Sequence, residues 1–297
     1  MEKRRRKPKA PKPVMPSQDA ERYYRGQLRA LVRAMATELV TSLEPELKRL
    51  KPDYIADSRA TLDGSWTDDI LRAIRAVSQR FTSPLFEAQA KRVAAMTISR
   101  AEADNAEDFR DSINRAVGVD FQLITKPKGM TDYLEASTAE NVNRIKSIPV
   151  EYFNKVENIV LGGMKSGFAP TVIARQIQEE TGVTARKAKL LARDQMSQIN
   201  SDLTRQRQTA AGIEFYKAVD AGDIRVSGNP AGKYPNAVIS CWGIARQDIG
   251  YGPGIYKVSE GAPWGGKTGL HAGKHHVLCR CVGLAQIPGV NYFPDKG

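Results

Sequence analysis

Acidic residues are in short supply. The chain has 33 Asp and Glu against 45 Lys and Arg, a formal net charge of +12. Such an imbalance attracts nucleic acid or another acidic surface. Cysteine is scarcer still: three in 297 residues. That is too few for a disulfide framework, and a reducing cytosol is the simplest place of synthesis. No run of 18 apolar residues occurs, so hydropathy offers no transmembrane helix, and the expectation is no membrane. The opening MEKRRRKPKAPKP lacks an apolar stretch behind its basic residues, unlike a secretory signal. Tandem repeats are absent as well.

What is present is ordinary for a soluble chain with a sizeable core: 41% hydrophobic and 26% charged residues. The length suits one large domain or two smaller ones. The positive charge is concentrated at the start. Lys3, Arg4, Arg5, Arg6, Lys7, Lys9 and Lys12 face only Glu2, which accounts for half of the excess. With its prolines this tail is read as flexible over residues 1–17. It can act as a solubilising leader, a nuclear localisation signal, or a contact to DNA or RNA phosphates.

Residues 18–117 read as helices. Ser17 can cap the first, and Leu28, Leu31, Met35 and Leu39 recur on one face. Pro45 and Pro52 punctuate its end. Trp66, Ile70, Ile74 and Val77 mark a second helix, and Phe86, Ala90 and Val93 a third beyond Ser83-Pro84. VDFQLITK, 119–126, reads as a possible strand. Helices resume near 132, with a new one starting at Pro149, and Gly162, Gly163 and Gly167 loosen the chain before a short helix ending at Gly182. Thr184 then caps a long helix closed by Gly212. Its buried stripe is Ala188, Ala192, Met196, Ile199 and Leu203, with Arg193 and Asn200 on another part of the surface. After Gly212, strand-like EFYKAV and frequent glycines announce a different texture. The fold class is therefore mostly α, with a basic tail, an N-terminal helical region and a small C-terminal α+β module over about 184–287 inside a region 118–297.

GAPWGGKT, 261–268, fits the letters of the phosphate-binding loop. A working loop lies between a buried strand and a helix N-terminus. Polar, glycine-flanked YGPGIYKVSE precedes it and glycine-broken GLHAGKHHVLCRC follows, so the match reads as chance. His271, His275 and His276 cluster beside Cys279 and Cys281, with Cys241 upstream. The C-x₂₋₄-C knuckle usual for zinc is missing. If 277–282 is a strand, Cys279 and Cys281 share one face and Arg280 takes the other. Buried thiols are the first expectation, so no metal or other cofactor is assigned. Metal binding by Cys279 and Cys281 with Cys241 and His271 or His275, a disulfide, and a Cys279–His276 nucleophile pair stay open. Asp220, Asp223 and Arg225 in VDAGDIRV fit a turn ahead of a strand rather than acid chemistry.

From about Glu140 onward the chain resembles the phage Mu F-like minor head proteins, the phage head morphogenesis family. The similar blocks are ENVNRIKSIPVEYFNKVENIVLGGMKSG, the stretch from ARQIQEETGV to AVDAGDIRV, and CRC. Asn141 and Arg144 match the first block. Ala192 to Gln195, Asn200 and Arg205 match the long helix. Gly222, Asp223, Arg225 and Val226 match the turn, and Cys279, Arg280 and Cys281 the closing signature. Where family members carry a nearby His or a Cys-x-x-Cys pair, this chain has Ser227, Gly228 and Asn229, and 230–270 has diverged. The resemblance implies a structural protein of tailed-phage heads, not an enzyme, made in host cytoplasm and residing at the portal vertex. Its implied partners are the portal protein, the major capsid or scaffolding protein, and double-stranded DNA bound without sequence preference. A DNA-processing packaging enzyme, nuclease or ATPase, is the alternative expectation.

Overall fold

The computed structural model describes residues 9–49, 64–118, 127–166, 168 and 170–292. Lys3, Arg4, Arg5, Arg6 and Lys7, and the possible strand 119–126, lie outside the described residues. The described chain is mostly helical with a small antiparallel sheet region near its C-terminal end, as the sequence pattern implies. The helices are α1 (Gln18–Arg49), α2 (Gly64–Arg80), α3 (Pro84–Val117), α4 (Met130–Lys165), α5 (Pro170–Ala210) and a short α6 (Cys241–Ile244). The strands are β1 (Phe215–Val219), β2 (Ile255–Lys257), β3 (Ala262–Trp264), β4 (Lys267–Leu270) and β5 (Val282–Gln286). No helix among the described residues is long and apolar enough to cross a membrane.

Two compact units divide the chain. One comprises 22–96 and 137–192, the other 1–21, 97–136 and 193–297. The first unit is helical and built on apolar stripes. Leu28, Met35 and Leu39 of α1 are buried, as are Ile70, Ile74 and Val77 of α2 and Phe86 and Ala90 of α3. Ser83 caps α3 by accepting from Phe86 N, with Pro84 at the first helical position.

Four expected helix breaks do not occur. α1 passes through Pro45, and α4 passes through Pro149. Ile145, Ile148, Tyr152, Phe153 and Val156 are buried on both sides of Pro149. That burial outweighs the roughly 3 kcal/mol cost of an interior proline. Gly162 and Gly163 also stay inside α4. A Cβ at Gly163 would stand 2.6 Å from Ile173 Cγ1, so this glycine admits a close neighbour rather than loosening the chain. α5 likewise runs unbroken through Gly182, and the hydroxyl of Thr184 donates to Glu180 within the helix instead of capping it. At its far end Gly212 takes φ 69° and Ile213 N donates to Gln208 O, closing the helix as the glycine implies.

The second unit sets α3 and α5 segments beside the small sheets. Antiparallel β1 is central, in the order β2-β1-β5. Residues 9–17 are not a free tail. Lys9 N donates to Arg115 O, Lys12 N donates to Ser112 Oγ, and Ser112 Oγ donates to Lys12 O at 2.6 Å. Val14 is buried with Phe109, Ile113 and Ala285. Ser17 caps α1, accepting from Ala20 N at 3.0 Å.

A polar network missed by the sequence reading runs through this unit. Arg207, 0% exposed, donates to Glu102 Oε1 and Asn105 Oδ1, both at 2.6 Å. Asn105 in turn donates to Asn200 Oδ1 at 2.8 Å and Thr204 Oγ1 at 2.9 Å, and Asn200 donates to Val14 O at 3.0 Å. Burial lowers the Arg207 pKa, and the Glu102 carboxylate opposes that.

GAPWGGKT is a β-hairpin. β3 and β4 pair antiparallel around Gly265 and Gly266, with φ of 55° and 78°. Two successive positive φ values suit a tight hairpin turn and explain the glycine pair. Lys267 and Thr268 therefore belong to a strand and not to a helix N-terminus.

The stripe Ala188, Ala192, Met196, Ile199 and Leu203 is buried as expected, with Leu203 at 0% exposure. Leu203→Asp puts an unpaired carboxylate there, at a cost of several kcal/mol. Loss of soluble folded protein is the expected outcome, checked by expression and thermal melting; wild-type melting would mean the stripe is not the core face.

Candidate metal centre

The site is assembled from two short irregular segments of the second unit. Cys241 opens α6, whose N-cap Ser240 accepts from Gly243 N at 2.8 Å. Gly228, at φ 71°, lies so near Ser240 that a Cβ would stand 1.8 Å from its Oγ. Only glycine lets the backbone at 228 approach Ser240 this closely. The second segment is a turn over 275–281, not the strand expected from the alternation. β5 begins only at Val282, and Leu278 carries φ 61°.

Polar groups of α5 hold that turn. Asp194 Oδ1 accepts from Leu278 N at 2.6 Å, and Ser197 Oγ donates to Cys279 O at 2.6 Å. These bonds offset the cost of a left-handed non-glycine residue, about 1 to 2 kcal/mol. The expected sidedness survives the change of conformation. Cys279 and Cys281 are buried, while Arg280 reaches out to Asp223, donating to Oδ2 at 2.6 Å and also to Oδ1.

Cys241, His275, Cys279 and Cys281 bring one donor atom each to a common point, all within 4.8 Å of one another. Every one is 3% exposed or less. Cys241 Sγ stands 3.7 Å from Cys279 Sγ and 3.4 Å from His275 Nδ1. The other ring nitrogen of His275 is buried with no hydrogen-bond partner. Around them lies the apolar core of the module, with Tyr216, Val226, Ile244 and Tyr256.

Three adjacent thiols titrate against each other. Hydrogen bonds from Cys241 and then Cys281 hold Cys279 well below the usual thiol range. The bond to Cys279 pushes Cys241 up to about 12, and the bond to Cys241 raises Cys281. The soft donor set N plus S₃ can hold a tetrahedral metal ion.

His276 is at the rim. Its Nε2 lies 3.2 Å from Cys241 Sγ and 3.0 Å from Ser227 Oγ, and Nδ1 is 2.7 Å from Val277 O. His271 is outside the cluster, its ring beside Tyr216. Burial, and next the Arg205 charge, depress its pKa to about 4.

The other anticipated residues fall in several places. Asp223 accepts from Arg225 N at 2.9 Å, and Asp220 accepts from Gly222 N at 2.7 Å, so both carboxylates brace turns as expected, but irregular turns rather than the expected strand follow them. Arg280 is the main cause that holds the Asp223 carboxyl well below its usual range. Arg193 is exposed and Asn200 buried, so the two do not share a surface. Asn141 and Arg144 belong to the other unit. There Asn141 Nδ2 donates to Ser137 O, and Arg144 bridges to Glu140 at 2.7 Å. The Asp194 and Ser197 holds escaped the sequence reading because residues 82 to 84 positions apart carry no local signal.

The fold is thus a helical protein with a small antiparallel module around a buried Cys₃His cluster. No family model and no solved structure matches it. An uncharacterized protein of Haemophilus influenzae is 28% identical over 231 residues, covering 75% of this chain and 48% of that protein. The chain spans about half the length of the curated relative it matches.

Asp194→Ala strands the Leu278 N–H. Stability is expected to fall by about 1 kcal/mol in denaturant titration, the lower end of the cost of an unsatisfied donor, because this N–H is only part-buried. His271 supplies a pH dependence. It is neutral in the folded state down to about pH 4, whereas the unfolded chain takes a proton near 6.5. Its contribution is present above that unfolded value and is lost as pH falls through the folded one. The stability difference between wild type and His271→Gln should therefore shrink or reverse from about pH 7 to 4, measured at matched pH values.

Proposed function

We propose that this chain is a minor head protein of a tailed phage. It is a structural part of the virion at the portal vertex, acting in head assembly and in DNA packaging or delivery. The observation that carries the reading is the use made of the residues matching the head morphogenesis family. Asp194 fixes one turn by accepting from Leu278 N, Asp223 and Arg280 brace another, and Asn200 anchors residues 9–17 at Val14 O. These are holding roles, suited to a protein that docks other parts rather than turning over a substrate.

The partners under this reading are the portal protein, the major capsid or scaffolding protein, and double-stranded phage DNA. DNA contact comes through the basic N-terminal residues and involves phosphates rather than base edges. Assembly takes place in host cytoplasm, and the final location is the head. The packaging-enzyme alternative draws on GAPWGGKT, whose lysine lies on the exposed β4 strand of a hairpin.

Co-expression with the portal protein of the same phage tests the proposal. Co-purification is expected, with no ATP turnover and no cleavage of DNA in Mg²⁺. Saturable ATP hydrolysis abolished by Lys267→Ala would move the chain to the motor class. Removal of residues 1–8 takes away five cations ahead of the packed segment. The slope of log K for DNA against log salt should then drop by about 3 to 4, somewhat under 0.9 per cation. An unchanged slope would place the DNA contact elsewhere.

A further inference from the structure

We propose that Cys241, His275, Cys279 and Cys281 bind one zinc ion as a closed structural site that holds the C-terminal module together. This inference is independent of the functional reading above and stands or falls on its own measurements.

Geometry comes first. Zinc–sulfur bonds of about 2.3 Å and zinc–nitrogen bonds of about 2.0 to 2.1 Å, arranged tetrahedrally, give S···S edges near ~3.8 Å and S···N edges near ~3.6 Å. The separations here are 3.7 Å between Cys241 and Cys279 and 3.4 Å between Cys241 and His275 Nδ1. The remaining donors complete a set within 4.8 Å. A disulfide brings its two sulfurs to about 2.05 Å and leaves a third thiol over. A hydrogen-bonded thiol core leaves the Nδ1 of His275, in a position only 2% exposed, with weak sulfur contacts alone. Burying an imidazole so poorly bonded is costly. A cation on Nδ1 gives that ring its reason to be inside.

Chemistry selects the ion. Tetrahedral sulfur with imidazole suits zinc, whereas hard cations want oxygen ligands. Four protein donors, all buried, leave no open position for water, which marks a structural rather than a catalytic site. The thiols release their protons to solvent when the ion binds.

The supporting groups are in place. Ser197 Oγ donates to the Cys279 carbonyl, and Cys241 N donates to Ser227 Oγ at 3.0 Å. His276 stays on the rim, outside the tetrahedron, with Nδ1 2.7 Å from Val277 O and Nε2 3.0 Å from Ser227 Oγ. The ion links α6 to a turn 34 to 40 residues later, across a module whose strands are three to five residues long. A metal cross-link substitutes there for a large core.

The test uses the full chain purified under reducing conditions without chelator. Elemental analysis should return about one zinc per chain. Chelation should shift the melting midpoint down, and added zinc should restore it. Cobalt should give the visible bands of a tetrahedral site with thiolate charge transfer. Cys279→Ser and His275→Ala should lose the metal, and His276→Ala should keep it. If a cysteine variant fails to fold, chelator-stripped wild type titrated with zinc carries the test instead. Absence of zinc in the wild type, with no rise in midpoint on adding it, overturns the site. Full zinc retention in His275→Ala with loss in His276→Ala overturns the ligand assignment.

Discussion

The second unit depends on the polar side chains of one helical segment, α5 from Asp194 to Gln208. Asp194 and Ser197 hold the turn that carries Cys279. Asn200 holds the backbone at Val14, Arg207 reaches Glu102 and Asn105 of α3, and Gln208 donates to Gly283 O within β5. The bonds of Ser197, Asn200 and Arg207 to Cys279 O, Val14 O and Asn105 are buried and the others are part-buried, so a lost partner costs much of the desolvation of the group left behind. Arg207 is the extreme case, with its guanidinium 0% exposed. Removing Glu102 alone would leave a buried unpaired charge, a far larger penalty than the net value of the pair.

From that segment the logic runs outward. A helix is rigid over its length, so donors and acceptors at 194, 197, 200 and 207 arrive at fixed spacings. Irregular segments with few bonds of their own are then shaped by it. The 275–281 turn is one such segment, and the residues 9–17 are another. The Cys₃His cluster is a consequence. Its ligands converge because α5 holds one side of the turn while Ser227, which accepts from Cys241 N and lies 3.0 Å from His276 Nε2, ties the other segment to it.

Local sequence carried much of the helical layout. Apolar stripes placed α1, α2, α3 and the buried face of α5, and Gly212 marked its end, because period and capping chemistry are local properties. The proline and glycine signals within α4 and α5 misled. Pro149, Gly163 and Gly182 all sit inside continuous helices, since stripe burial outweighs a local preference. Hairpin glycines of GAPWGGKT were legible as a poor context for a phosphate loop, though not as a turn of that kind.

Composition and pattern by themselves determined the charge, the mostly helical class, the position of the small C-terminal module and the choice of residues able to bind a metal. Tertiary structure decided which of them meet. Cys241 and Cys279 are 38 positions apart, and His271 and His275 are equivalent by composition, yet only His275 enters the cluster. Asn200 looked like a surface residue and proved to be buried. The physical reason is the same throughout. Periodicity reports which side of an element is apolar, but convergence of donors depends on loops whose path is dictated by distant hydrogen-bond partners on α5.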